Sequence, residues 1–154
     1  YGRAPLSSPG RICYHAAMIY LAGPLFTQAE QAWLRSVKAE LVRHGHEVCW
    51  PYELFKDGQI AGWGPIAPRR IMERCREALE ASRWVVAWLD GTQVDDGTAW
   101  EVGYAHARGK PVLGLRTDSR QAGDTSHSVV NAMVEGSCLS ISRSVAELVL
   151  ALRR

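Results

Sequence analysis

Acidic side chains are concentrated in one polar stretch, between an apolar run and the helical pattern that follows it. Asp90 comes directly after the run, and Asp95 and Asp96 precede the start of the helical pattern. Glu101 lies one turn further on. Cleavage of a glycosidic bond needs a carboxylate that attacks or stabilises the anomeric carbon and an acid that protonates the leaving group. Glu101 together with Asp95 or Asp96 has the side chains for both functions.

Each of these acids also has a structural interpretation. Aspartate is a preferred N-cap, so one of Asp95 and Asp96 is expected to cap the helix, but capping does not need both. Glu101 is either the glutamate of a capping box or a reactive carboxylate. Because the N-terminus of a helix stabilises an anion, we expect Glu101 to be ionised and suited to nucleophilic or basic work.

Aromatic side chains follow the first two apolar runs and could stack on a flat ligand. Gly23 and Phe26 belong to the loop A-G-P-L-F after the first run, and Trp50, Tyr52 and Trp63 lie at or after the end of the second. Phe26 is the best stacking candidate because it follows the carboxyl end of a predicted strand. The chain has no G-x-G-x-x-G and no Walker lysine motif, so a phosphate cradle is not indicated.

Strands and helices alternate along the chain to position these residues. Apolar runs predict strands over 18–22, 47–50, 84–89, 111–115 and 138–141. Helical periodicity predicts helices from Thr27 to a stop at Gly45 and over 69–82, 98–108, 129–134 and 145–153, with 52–68 as a loop. This order predicts an α/β fold, a doubly wound five-stranded parallel sheet with helices on both faces. Such sheets bind ligands outside the carboxyl ends of their strands, where the acids and Phe26 lie.

Composition indicates one globular domain and excludes several classes of protein. The 154 residues suit one domain over 18–154, and the Gly-, Pro-, Ser- and Arg-rich stretch 1–17 is expected to be a disordered extension or a tag remnant. A net charge of +2 without a basic stripe argues against a nucleic acid polymer as partner. No apolar run is long enough for a membrane helix. The four cysteines form no C-x-x-C pair, so we expect no metal, no cofactor site and a reducing cytoplasm.

Several motifs together resemble the nucleoside 2-deoxyribosyltransferase family. They are I-Y-L-A-G-P-L-F, V-V-A-W-L-D-G, D-D-G-T-A-W-E-V-G-Y-A, G-K-P-V-L-G-L-R-T-D and V-N-A-M, spread from Met18 to Ile141. The resemblance implies a flavodoxin-like fold that acts on a deoxynucleoside and a free nucleobase. It also implies a double displacement through a deoxyribosyl-enzyme ester, in composite active sites of a homodimer or a higher even oligomer.

The resemblance also implies roles for individual residues. Glu101 matches the family nucleophile, and Tyr20 matches the strand tyrosine that contacts it. Asp95 matches the acid that handles the base, and Phe26 matches the aromatic that packs on the base. Asn131 matches an asparagine donated across a subunit interface to the sugar hydroxyl. The apolar side chains of the short helix around Asn131 are expected to form that interface; they are Val129, Val130, Met133 and Val134.

The chain departs from the family pattern at Cys75, where an aspartate is common. A thiol is a weak hydrogen-bond partner, so the base preference stays open. Transfer to a second base and hydrolysis by water also stay open. A 5'-monophosphate N-glycosidase is an alternative, although Pro24-Leu25-Phe26 does not look like the Ser-, Arg- and Gly-rich loop of those relatives. A nucleoside-binding protein without catalysis is another alternative, with Cys75 as its only hint.

Overall fold

The computed structural model describes residues 18–153, and within that range it contains five strands and six helices. The strands are β1 (Met18–Ala22), β2 (Glu47–Cys49), β3 (Trp84–Trp88), β4 (Val112–Leu115) and β5 (Ser140–Ser142). The helices are α1 (Gln28–Arg43), α2 (Gln59–Gly62), α3 (Ala67–Ala81), α4 (Asp96–Ala107), α5 (Ala132–Gly136) and α6 (Val145–Ala151). The stretch 1–17, for which an extension or tag remnant is predicted, lies outside the described residues.

All five strands are parallel and pair in the order β2-β1-β3-β4-β5. This is the flavodoxin-like order, and it confirms the predicted doubly wound sheet. β2 lies on one side of β1, and β3 lies on the other side. The chain therefore turns to opposite sides after β1 and after β3, and the loops that follow these two strands diverge. The crevice between such loops is where α/β sheets bind ligands.

Both faces of the sheet are covered, because neighbouring residues of each strand point to opposite sides. In β1, Ile19 and Leu21 face a core that they share with α1 and α6, whereas Tyr20 and Ala22 face one shared with α3, α4 and α5. Tyr20 is completely buried in β1, between β2 and β3. A polar hydroxyl is thereby held rigidly beneath the carboxyl edge of the sheet.

The boundaries of α3, α5 and β5 differ from those predicted, because residues at the helix ends set them. The stretch 52–68, expected to be a loop, contains α2 and two 3₁₀ turns, and α3 begins at Ala67 because Pro68 fits the first turn of a helix. The short helix expected over 129–134 begins only at Ala132, since Asn131 caps it. β5 covers 140–142 rather than 138–141, because Cys138 still bonds to the end of α5.

Two of the four apolar side chains expected to form a subunit interface around α5 do not face outward. Val130 and Val134 are buried in this chain's own core, whereas Val129 is half-buried. Met133 is 80% exposed and is the one that projects outward. Within residues 18–153, no helix combines the length and apolar character needed to cross a membrane.

Candidate active site

A cavity of about 930 Å³ opens at the carboxyl edge of the sheet, at the divergence of β1 and β3. The loop after β1, the segment 51–61, α3 and the start of α4 line it. Its walls include Gly23, Phe26, Cys75, Asp95 and Glu101. The fold therefore gathers at one place several of the residues that the sequence singles out.

Glu101 lies on the second turn of α4, with its carboxylate directed at the sheet. The Tyr20 hydroxyl donates a hydrogen bond of 2.5 Å to Glu101 Oε1. Because α4 begins at Asp96, Glu101 is its sixth residue rather than the third, and the capping-box interpretation is wrong. The Glu101 side chain does not cap the helix terminus, and it lines the cavity.

Burial decides the charge of Glu101. Removal from water, opposed by the Tyr20 hydrogen bond and assisted by the nearby Asp95 carboxylate, raises the pKa of Glu101 from 4.5 to about 7. At neutral pH Glu101 is therefore only partly ionised, whereas the helix N-terminus alone would keep it charged. The helix dipole acts mainly within the first turn, and Glu101 lies beyond it.

Tyr20 is fixed as a hydrogen-bond donor to that carboxylate. Burial, together with the charge of Glu101, raises the pKa of Tyr20 far above its ordinary value, so the phenol stays protonated. Cys75 of α3 lines the same cavity and interacts with the Tyr20 hydroxyl. Burial raises the pKa of Cys75 to about 11, so this position contributes a neutral thiol where the family commonly has an acid.

Asp95 caps α4 and also faces the cavity. Its Oδ2 accepts hydrogen bonds of 2.9 Å from the backbone N–H and the hydroxyl of Thr98. Capping therefore uses one carboxylate oxygen, and within the described residues Oδ1 has no hydrogen-bond partner. The structural and the chemical interpretations of Asp95 are thus compatible, because the cap holds the carboxylate in place and leaves its second oxygen for a ligand.

The loop after β1 is held by a capping box that the sequence interpretation missed. Glu30 Oε2 accepts hydrogen bonds from the backbone N–H groups of Phe26 and Thr27, at 3.0 and 2.7 Å, and the Glu30 N–H bonds to Thr27 Oγ1. The signal is present in the sequence as Thr27-Gln28-Ala29-Glu30, the S/T-x-x-E pattern. Phe26 itself is 76% exposed on the cavity wall.

Aromatic side chains line the opposite wall. Tyr52 faces the cavity and stacks on the buried Trp50 with ring centroids 4.7 Å apart, so Trp50 supports the wall without forming its surface. Trp63 lies behind the wall and meets Phe55, a lining residue, edge to face. Phe26 and Tyr52 are therefore the two candidates of the sequence analysis that can touch a flat ligand.

Three of the residues that the sequence singles out, which are candidates for binding substrate, lie outside this cavity. Asp90 accepts hydrogen bonds from the backbone N–H groups of Thr117 and Asp118, at 2.6 and 3.0 Å, and so ties the loop after β3 to the loop after β4. Asp96 and Asn131 line a separate cavity of about 360 Å³ on the other side of the start of α4. Proximity along the chain did not place Asp90 and Asp96 beside Glu101, because the segment between β3 and α4 has two sides.

Asn131 is engaged within its own chain. Its Oδ1 accepts a hydrogen bond from the Met133 N–H at 3.0 Å, and its Nδ2 donates to Asp124 Oδ2 at 2.9 Å. The side chain is exposed, so another molecule can reach it. Across residues 18–153, no group of three or more His, Cys, Asp or Glu side chains is placed to hold a metal ion.

The family model for nucleoside 2-deoxyribosyltransferase matches residues 19–133. The chain belongs to this family. The match spans β1 through the start of α5 and includes Tyr20, Asp95 and Glu101. No curated protein sequence matches the chain significantly.

Solved structures share the fold of this chain. A conserved protein from Enterococcus faecalis V583 is 27% identical, with a TM-score of 0.78 and coverage of 89% of this chain and 97% of that one. A 2-deoxyribosyltransferase from Bacillus psychrosaccharolyticus is 20% identical, with a TM-score of 0.67 and coverage of 88% and 96%. A CMP N-glycosidase from Clostridium botulinum is 18% identical, with a TM-score of 0.56 and coverage of 88% and 97%. Membership of the nucleoside 2-deoxyribosyltransferase family thus supports an activity of the glycosyl-transferring or N-glycosidase type.

Proposed function

We propose that this protein cleaves the N-glycosidic bond of 2'-deoxynucleosides through a covalent deoxyribosyl ester on Glu101. The observation that carries the proposal is the carboxyl group of Glu101 in the cavity, held by Tyr20 and facing the same space as Asp95. A carboxylate that protonates near neutral pH is a better nucleophile than an ordinary one, and its protonation is easily reversed.

The proposed reaction has two displacements at the anomeric carbon. In the first, a Glu101 oxygen forms a bond to C1' while the bond from C1' to the base nitrogen breaks, and the bonding electron pair leaves with the base. In the reactive state Glu101 is ionised and Asp95 carries the proton, which its Oδ1 donates to the departing base. In the second, a ring nitrogen of another base, or water, attacks C1' and releases the Glu101 carboxylate. The incoming group returns a proton to Asp95.

We also propose that the active unit contains at least two copies of the chain. The cavity is open on one side, and Asn131 is exposed but lies outside the cavity of its own chain. A second copy related by two-fold symmetry would bring the Asn131 of each chain to the site of the other.

Incubation with deoxyinosine, with and without adenine, followed by chromatography tests the activity. A new nucleoside in the presence of adenine indicates transfer, and free hypoxanthine in both samples indicates hydrolysis. No change in either sample, and none when thymidine replaces deoxyinosine, would contradict the proposal and favour a nucleoside-binding protein. Acid quenching during turnover and mass spectrometry of the peptide that carries Glu101 tests the covalent intermediate separately.

A further inference from the structure

The two oxygens of the Asp95 carboxyl group have different surroundings. Oδ2 accepts hydrogen bonds of 2.9 Å from both the backbone N–H and the hydroxyl of Thr98. A carboxylate oxygen has two lone pairs that accept hydrogen bonds, so these two donors use the accepting capacity of Oδ2. Among the described residues, nothing donates a hydrogen bond to Oδ1. The carboxyl group is therefore held through one oxygen, and its other oxygen is available to a ligand.

Thr98 and its neighbour pack closely around Oδ2. Thr98 is the third residue of α4 and is only 1% exposed, so its hydroxyl is shielded from water. Gly97 comes just before it, and a Cβ at that position would lie 3.3 Å from Asp95 Oδ2. The Thr98 hydroxyl thus meets Oδ2 in a tightly packed place, where water does not easily replace a lost hydrogen bond.

This asymmetry decides which oxygen of Asp95 carries a proton. A protonated carboxyl group has its proton on one oxygen and keeps the other as an acceptor. On Oδ2 the proton would face two donors, whereas on Oδ1 it meets none. Once the proton has left, the negative charge on Asp95 is stabilised by the same two donors, because hydrogen bonds to an ionised acceptor are the stronger ones.

We propose that Thr98 is a positioning residue that directs the acidic proton of Asp95 to Oδ1, the oxygen available to the departing base. The inference rests on the proposed function, in which Asp95 protonates that base. The proton moves from Oδ1 to the base as the bond from C1' to the base nitrogen breaks, and Asp95 remains as a carboxylate. The backbone N–H at position 98 belongs to the helix cap, so the hydroxyl is the part that the threonine side chain adds.

The test compares the wild type with Thr98→Val and Thr98→Ser. Valine has nearly the shape of threonine but lacks the hydroxyl, whereas serine keeps it. The substrates are deoxyinosine and 7-methyldeoxyinosine, whose base is already positively charged and leaves without a proton. Thymidine and 5-fluorodeoxyuridine, whose base is the better leaving group, provide the same comparison for pyrimidines.

Thr98→Val should lower kcat/KM for deoxyinosine and thymidine by about tenfold, since a hydrogen bond that stabilises the charge developing on Asp95 is lost. The loss should be much smaller for 7-methyldeoxyinosine and 5-fluorodeoxyuridine, because these substrates depend less on the acid. Thr98→Ser should restore the activity toward that of the wild type. A purely structural role would lower the cleavage of all four substrates alike.

Thr117 provides a matched control. Its hydroxyl and its backbone N–H also donate to an aspartate, Asp90, and both residues lie outside the cavity. Thr117→Val should leave all four activities unchanged. A loss in Thr117→Val with the same dependence on the leaving group would overturn the assignment to Thr98.

The remaining outcomes separate this inference from the proposed function. If the wild type cleaves these nucleosides but Thr98→Val loses nothing, or loses equally with both members of a pair, the role of Thr98 is refuted and glycosidic cleavage stands. If Thr98→Ser loses as much as Thr98→Val, the hydroxyl is not the cause and the inference is again refuted. If the wild type cleaves none of the four, the proposed function fails and the inference fails with it.

Discussion

Replacement of Tyr20 by phenylalanine should change how the activity depends on pH. The Tyr20 hydroxyl donates the 2.5 Å hydrogen bond to the Glu101 carboxylate. It lowers the pKa of Glu101 against the opposing effect of burial, which leaves that pKa at about 7. Phenylalanine has nearly the same shape, so Tyr20→Phe removes this hydrogen bond with little disturbance of the buried core around β1.

The structure sets the direction and the size of the effect. The rise in the pKa of Glu101 from 4.5 to about 7 corresponds to roughly 3 kcal/mol against the charged form. A hydrogen bond to a charged group contributes about 1.5–3 kcal/mol, so its loss should raise the pKa by about one to two pH units more. A nucleophilic Glu101 must be ionised, so the activity of the variant should be about 10- to 100-fold below that of the wild type at pH 6. At pH 9 the difference should be far smaller.

The assay is kcat/KM for deoxyinosine between pH 5 and pH 10, which reports the ionisation of the free enzyme. The acidic limb of the wild type should have its midpoint near pH 7, and that of Tyr20→Phe should lie higher. Tyr104→Phe is the matched control, because Tyr104 also donates to a glutamate, Glu80, but lies outside the cavity. A loss that is the same at every pH, or a limb that does not move, would refute the reasoning.

Four further predictions concern the same site. Glu101→Gln should abolish turnover, and it should raise the thermal unfolding midpoint at pH 8 but not at pH 4. Burial raises the pKa of Glu101 in the folded state, so ionisation of Glu101 destabilises the folded wild type. This destabilisation reaches roughly 3 kcal/mol above pH 7 and is absent below pH 4.5. Retained activity in Glu101→Gln would show that it is not the nucleophile. Asp95→Asn should lower activity by about 10²–10⁴-fold for bases that need protonation and less for activated leaving groups; equal losses would indicate that Asp95 serves only as the cap of α4. Deoxyinosine should be cleaved faster than inosine, as membership of the deoxyribosyltransferase family implies, and comparable initial rates would contradict this. Mixed Glu101→Gln and Asn131→Ala subunits should regain activity if each site is shared between two chains, whereas confirmed exchange without recovery would assign Asn131 to its own chain.

The sequence by itself determined the fold and the candidates for the reactive side chains. Strand-like apolar runs separated by helical periodicity are local patterns, and they led to the five-stranded parallel sheet that the structure confirms. Asp95 and Glu101 became candidates from the sequence because they lie at the start of a helix that local signals predict, whereas Tyr20 became a candidate through the family resemblance. The structure brings the three together: the Tyr20 hydroxyl donates a hydrogen bond to Glu101, and Asp95 and Glu101 line the same cavity. The capping box of Thr27 and Glu30 was equally local, and its pattern could have been recognised.

Only the tertiary structure decided which neighbouring residues share a cavity and what charge they carry. Asp90 and Asp96 are close to Asp95 in the chain, but the loop after β3 directs them to other surfaces. The protonation of Glu101 depends on how much water the packed elements exclude, which the helix position alone did not reveal. Val130 and Val134 are apolar, as residues of a subunit interface often are, yet they are buried in the chain's own core. Each of these outcomes depends on contacts between segments that are distant in sequence, and local patterns carry no information on such contacts.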